Sequence, residues 1–468
     1  MTSTPPSVRF DEARQHAFAV ARTVAGQGFD VVLVRDVIGR FSLIVDDAGK
    51  EGAGSLVGSW EAETDRLGPY RSDRPVLLAS QMFSADALLN SPRTVADLEG
   101  PTSAGSVRFL DNTVVGEDWA RVTTPEHGPA GPRVHRTALY GFKGGVGRTT
   151  ATAVLARHLA DWGHAVLVVD LDLESPGAGP LLAGRNLPRH GIVDQLVEDA
   201  VGNALGLEIV TRTAYVPRDR YGELWVAPAR GHGTDGVPYA YVDKLNRVYA
   251  DTPDAPFADR LERAVRACED AVERDGDTGR RPDVVLLDSR AGIHDIAAVT
   301  ISRLADLALL FGADNTQTWQ GYADLFAAWR SSGKAREIRE KLRMVASMVP
   351  DSVHFPMESY LASFRAHAFE CFSTLYDEVA PEDVRDEADP VTGASADAPF
   401  SPSQYDDWAP HSPIPILFDQ GLVGMDSVNS PHWQDRAFVQ AAYRDFLEAA
   451  TPLITAGLNG HGDQGGTR

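Results

Sequence analysis

Residues 141–150 read GFKGGVGRTT, and this decapeptide constrains the fold more than any other feature of the 468-residue chain. Glycines at 144, 145 and 147 let the backbone fold back so tightly that successive N–H groups face one concavity. The apolar run TALYGF precedes the decapeptide, and TTATAVLARHLADWG, with apolar residues at helical spacing, continues from it. A strand feeding a glycine loop that opens a helix is the setting in which amides and the helix N-terminus hold phosphate oxygens. Thr149, at the helix start, is placed to give its hydroxyl to Mg2+.

From residue 136 onward, apolar strand-like runs alternate with helical patterns. The runs are AVLVVDLD, ELWVAPA, DVVLLDS, LALLFGA, RMVASMV and PIPILFD. Strands that are apolar on both sides imply a mostly parallel sheet covered by helices on both faces, with ligands at the carboxyl ends of the strands. The expected fold is therefore α/β of the P-loop NTPase kind, preceded by a smaller N-terminal α+β domain. That first unit opens with a helix, DEARQHAFAVARTVAGQ, and two strands, FDVVLVRD and FSLIVDD, joined as a hairpin across Val37–Arg40. Its role is not legible.

The boundaries expected from these patterns are 1–122 for the first domain, 123–135 for a Pro/Gly-rich linker, and 136–350 for the nucleotide-binding core. A helical and acidic insertion follows at 351–412, then the completion of the core at 413–452 and a disordered tail at 453–468.

Composition removes several function classes. No apolar run approaches the roughly 18 residues that cross a bilayer, and the polar start lacks a signal-peptide core, so a cytoplasmic protein is expected. The helical stretch near the C-terminus, RAFVQAAYRDFLEAATPLI, carries Asp445 and Glu448 on its polar positions. Packing on the sheet suits it better than an anionic membrane surface. Two distant cysteines, Cys268 and Cys371, point to idle buried thiols rather than a zinc site. A net charge of −22 argues against a surface built wholly for nucleic acid. One basic stretch stands out: RSSGKAREIREKLR, in which Arg336, Arg339 and Arg343 share a face if it is helical, although a solvated face is the simpler reading.

Two further stretches, AVLVVDLDLESPG and RPDVVLLDSRAGIHD, end apolar strands in aspartates: Asp170 and Asp172 in the first, Asp288 in the second. With the glycine loop they resemble the deviant Walker A, DxD and Walker B segments of the ParA/MinD family of P-loop ATPases, and most closely its bacterial KGGVGR-motif variant group. The resemblance covers about 136–350 and 410–450. It implies ATP and Mg2+ as ligands, an ATP-dependent homodimer, and an as yet unknown protein partner. It also implies that Gly144, Gly145, Val146, Gly147, Arg148, Thr149 and Thr150 hold the nucleotide, and that Lys143 reaches the partner subunit's phosphates. By the same resemblance Asp172 orients the attacking water, Asp170 and Asp288 hold Mg2+ through water beside Thr149, and Pro415, with Asp419 near it, closes over the base. ATP rather than GTP rests on the resemblance, since no NKxD guanine-reading motif stands in the late-strand loop. The chain departs from the family pattern in both switch segments, DLESP and DSRAG.

The sharpest departure is Arg148, where the family carries a lysine. Arginine keeps the charge and can fork onto two oxygens, yet it is bulkier than an ammonium, so binding is expected to survive better than turnover. The favoured reading is an ATP-binding switch that dimerises on Mg-ATP, engages a partner and hydrolyses slowly. A non-hydrolysing nucleotide-sensing scaffold and a DNA-associated partition-type ATPase are the alternatives. His294 and Asn315 read more simply as structural or turn residues than as a catalyst and a ligand, and no GxSxG elbow supports serine-hydrolase chemistry.

Overall fold

The computed structural model describes residues 8–50, 52–97, 104–112, 117–120, 122, 134–252, 255–276, 279–378, 399–422, 432–456 and 458. The chain separates into two compact units, Met1–Val115 and Gly116–Arg468.

In the first unit, α1 (Phe10–Gly26) precedes β1 (Asp30–Arg35), β2 (Phe41–Asp46), α2 (Ala53–Glu63), β3 (Arg71–Leu78), α3 (Ala85–Leu89), β4 (Val95–Ala96) and β5 (Val107–Asp111). Small residues set one face of α1: Ala13, Ala17, Val20, Ala21 and Val24 are all buried, at the spacing that puts them on one stripe. The sheet order is β3-β2-β1-β5-β4. β1 and β2 are antiparallel, as the hairpin reading expects, whereas β1 and β5 are parallel.

The second unit is built on an eight-stranded sheet. Its elements are β6 (His135–Gly141), α4 (Arg148–Asp161), β7 (Ala165–Leu171), α5 (Ala178–Ala183), α6 (Ile192–Asp199), β8 (Thr211–Arg212) and β9 (Glu223–Ala227). They continue with α7 (Tyr241–Val248), α8 (Phe257–Asp275), β10 (Val284–Ser289), α9 (Asp295–Val299), β11 (Leu307–Gly312) and α10 (Thr316–Ser331). The last are α11 (Ala335–Arg339), β12 (Leu342–Val349), α12 (Met357–Ser373), β13 (Ile414–Leu417) and α13 (Ala437–Thr455). The order is β13-β12-β11-β6-β10-β7-β9-β8, and every neighbouring pair is parallel except β8 with β9. Alternate residues of the central strands enter two separate cores. Leu167, Val169, Val285 and Leu287 meet α6, α8, α9, α10 and α12 on one face, while Val166, Val168, Val284 and Leu286 meet α4, α5 and α13 on the other. Full burial on both faces explains the unbroken apolar runs, each Val or Leu contributing about 1.5–3 kcal/mol.

Several boundaries differ from expectation. Trp119 and Val122, assigned by sequence to the first domain, pack in the larger unit's core, Trp119 edge-on to Tyr140 at 6.1 Å. The separation therefore falls at 115/116, ahead of 122. Of the expected linker, 123–133 lies outside the described residues, and His135 already belongs to β6. Within the expected insertion, α12 is core: Phe364, Ala368 and Phe372 are buried with α10. The acidic segment 379–398 and most of the tail lie outside the described residues, and α13 runs three residues past 452. α13 packs on the sheet through Val439, Tyr443 and Phe446.

Candidate functional site

The glycine loop lies at the carboxyl end of β6, which is central to the sheet, with β11 on one side and β10 on the other. Two side chains pin it. Phe142 packs towards one core and Val146 is buried in the other. Phe142 has room only because α10 carries Gly321, where a Cβ would stand 2.3 Å from its ring. Gly145 and Gly147 take φ of +80° and +79°, a left-handed conformation that strains any residue with a Cβ. The open face of the loop is free: Gly144, Gly145 and Gly147 are exposed, with nothing within 4 Å of their Cβ positions. Such a cradle, followed by the N-terminus of the 14-residue α4, suits an anionic phosphate chain.

Below the loop lies the unusual electrostatics of the molecule. Asp170 of β7 and Asp288 of β10 stand directly opposite each other in parallel register, and both are buried. Asp170 accepts backbone N–H bonds from Asp172, Gly177 and Gly179 at 3.1–3.3 Å. Burial, and then the charge of Asp288, nevertheless push its carboxyl well above the usual range. Asp288 Oδ1 accepts from the Thr152 hydroxyl at 3.4 Å, with Thr149 beside it, while Oδ2 is enclosed and makes no hydrogen bond among the described residues. Burial raises this carboxyl as well, although the Arg148 charge opposes the shift. Two adjacent buried carboxylates repel, and either a proton or a cation relieves them. Among the described residues no group of three or more His, Cys, Asp or Glu is arranged to hold a metal ion. Two carboxylates and a threonine hydroxyl are instead what Mg2+ uses when water and phosphate complete its shell.

The two cations of the loop diverge. Lys143 is exposed, and its Nζ donates to Gln317 Oε1 of α10 at 2.7 Å. It borders an open pocket of about 370 Å³ with Phe142, Gln317, Gln320 and Asp324. Arg148 is buried and turned the other way: it donates to the Ser289 carbonyl and, at 3.5 Å, to Asp172 Oδ2. Burial raises the Asp172 carboxyl, against the pull of Arg148.

Residues 137–349, which include the loop and all three aspartates, match the sequence family described as the CobQ/CobB/MinD/ParA nucleotide binding domain. Residues 137–349 of the larger unit are thus similar to a nucleotide-binding domain of the CobQ/CobB/MinD/ParA kind. No curated protein matches the chain in a sequence comparison. Among solved structures, cobyrinic acid a,c-diamide synthase of Mycobacterium smegmatis with bound ATP analog and magnesium is 18% identical over 49% of this chain and 80% of its own, with a TM-score of 0.35. The MinC:MinD cell division protein complex of Aquifex aeolicus is 19% identical over 46% of this chain and 68% of its own, at 0.29. The pNOB8 ParA bound to nonspecific DNA is 15% identical over 52% and 75%, at 0.33.

Around the core of this domain, several sequence expectations change. The basic face does not exist. α11 ends at Arg339 because the apolar run from Leu342 starts β12, which takes Arg343 into a strand. Arg339 is buried and bonds both Asp377 oxygens at 2.8 Å and the Leu375 carbonyl at 3.0 Å, beneath the Phe400 ring. Arg343 donates to the carbonyls of Glu340 and Leu342, so of the three only Arg336 is exposed. Pro415 sits within edge strand β13 opposite Ala346, with β12 and β11 between it and β6, and Asp419 caps the following turn by accepting from the Gly421 N–H at 2.7 Å. Asn315 is the N-cap of α10, accepting from the Thr318 N–H at 3.0 Å, and His294 is the N-cap of α9. Thr150 lies half-buried in the first turn of α4. Both cysteines are buried, and burial pushes the Cys371 thiol up to about 11. No helix among the described residues is long and apolar enough to cross a membrane.

Four residues around the loops that follow Asp172 and Asp288 were not anticipated: Glu174 and Arg290, which pair with each other, Tyr249, which donates to Glu174, and Tyr241, which donates to the Leu173 carbonyl. Glu174 and Arg290 lie in DLESP and DSRAG, the segments where the sequence departs from the motifs it resembles, and that departure was the available signal.

Proposed function

We propose that this protein is an ATP-dependent switch: Mg-ATP draws two copies together, the assembled surface engages a protein partner, and slow hydrolysis ends the engagement. The observation that carries the reading is the in-register buried pair Asp170 and Asp288 beneath an open glycine loop. Two facing acids whose charges burial opposes are costly without a counter-charge, and a divalent cation offsets both. In this reading the amides of residues 144–150 hold the phosphates, and Thr149, Asp170 and Asp288 keep Mg2+, directly or through water. Bound Mg2+ supplies charge neutralisation along the phosphate chain. Asp172 orients water, and the exposed Lys143 is free to leave Gln317 for the partner copy. Pro415, on the edge strand, is taken to close over the base.

A second reading has its own observation. Arg148 is held by Asp172 and the Ser289 carbonyl, so its charge is shared with the residue assigned to orient water, as a non-hydrolysing sensor would have it. The DNA-associated alternative loses its residues with Arg339 and Arg343. Sedimentation with Mg-ATP, Mg-ADP and no nucleotide, run beside a phosphate-release assay, tests the proposal. ATP-specific dimerisation that Lys143→Ala abolishes, with ATP affinity kept within about threefold, supports the switch, since Lys143 contributes nothing to the loop's own amide cradle. Unchanged dimerisation in that variant contradicts it.

A further inference from the structure

We propose that Glu174 is a positioning residue that ties the loop after β7 to the loop after β10, so that Asp172 and Asp288 are carried by one frame. The inference rests on the switch reading for its consequences, though not for its geometry. Glu174 stands two residues beyond Asp172, and Arg290 two beyond Asp288. Their side chains form an ion pair between the two loops, each only about a quarter exposed. Glu174 Oε1 also accepts from the Tyr249 hydroxyl at 2.6 Å, while its Oε2 is enclosed without a hydrogen bond among the described residues.

The neighbouring groups converge on the same carboxylate. His294 Nε2 stands 3.9 Å from Glu174 Oε1, and the His294 ring meets Tyr249 edge-on at 4.9 Å. One residue earlier, the Leu173 carbonyl accepts from the Tyr241 hydroxyl at 2.5 Å. The loop after β7 is thus held at two consecutive residues by α7 and the tyrosine that follows it, and through Arg290 by the loop after β10. That second loop abuts the phosphate loop: the Gly292 N–H donates to the Gly141 carbonyl at 3.3 Å, and the Tyr140 hydroxyl donates to the Gly292 carbonyl at 3.2 Å. A carboxylate shared by a guanidinium and a phenol in a half-buried setting gives a directional tie rather than loose packing. Phosphoryl transfer depends on the placement of its aspartates, so loss of the tie should impair turnover more than binding.

Glu174→Gln keeps the shape and an acceptor for Tyr249 but removes the charge. With an unchanged circular-dichroism spectrum, it is expected to raise amide exchange in residues 290–295 about tenfold, leave the calorimetric Kd for Mg-ATP within about threefold, and lower kcat about tenfold at similar KM. Exchanging the pair, as Glu174→Arg with Arg290→Glu, should restore most of the exchange protection. Unaltered exchange in 290–295, binding and turnover lost in parallel, or no recovery in the exchanged pair would each overturn the proposal. If the wild-type protein binds no Mg-ATP, the switch reading fails by itself, and the exchange comparison still decides whether Glu174 couples the loops.

Discussion

The acids of the two sheets behave in opposite ways. In the N-terminal unit, Asp30 takes the hydroxyl and N–H of Ser106, and these bonds hold its carboxyl below the usual range. Burial works against Asp36, but the N–H groups of Ile38 and Arg40 and the Arg40 guanidinium outweigh it. Asp47 is likewise held down by Ser80 despite some burial. In the large sheet, Asp170 and Asp288 are raised by burial, and Asp288 keeps an oxygen with no hydrogen bond among the described residues. Acids whose neighbours satisfy them stabilise turns. Acids left facing each other inside a sheet mark where something from outside the chain completes the electrostatics.

The contrast is sharpest at Asp288. Asp288→Asn should lower Mg-dependent phosphate release by about a hundredfold or more while raising the melting temperature measured in EDTA, because it removes a buried charge. Asp36→Asn should do the reverse, costing about 1 kcal/mol of stability in urea denaturation through lost hydrogen bonds. A fall in stability for both variants would erase the distinction.

Arg148→Lys is the next largest. Freed from the fork onto Ser289 and Asp172, the site should release phosphate about tenfold faster, with Mg-ATP affinity within about tenfold. No turnover in wild type with any partner, and turnover in the lysine variant, would select the sensor reading.

The pH dependence follows from the direction of the Asp170 and Asp288 shifts. Both carboxyls hold protons in the folded chain at pH values where the unfolded chain has released them. Stability without metal should therefore decline as pH rises from the ordinary carboxylate range towards neutrality, and Asp170→Asn should flatten that slope. Melting curves in EDTA between about pH 5 and 8 check it. Arg339→Ala is expected to cost about 1–2 kcal/mol, since Asp377 is partly exposed and screened, with nucleotide binding unchanged by calorimetry.

Much of this architecture was legible because it is local or periodic. The strand-loop-helix at 135–161 and the apolar runs ending in Asp170 and Asp288 announce themselves within a dozen residues. Three kinds of feature did not. Trp119 and Val122 join the larger core across a segment with no periodic pattern. Arg343 lost its helical spacing because a β-rich apolar run overrode the charged stretch before it, and Arg339 acquired Asp377 from 38 residues away. The tie at Glu174 joins Tyr249 and Arg290, partners 75 and 116 positions distant that only the closed sheet brings together.

Titration calorimetry of the full chain with ATP, in Mg2+ and then in EDTA, tests the central claim most directly. One nucleotide per chain in Mg2+, with affinity at least about tenfold weaker when the metal is withheld or Asp288 is changed to asparagine, is the expected result. Absence of heat in Mg2+, or binding indifferent to both metal and Asp288, would contradict the assignment of the paired carboxylates.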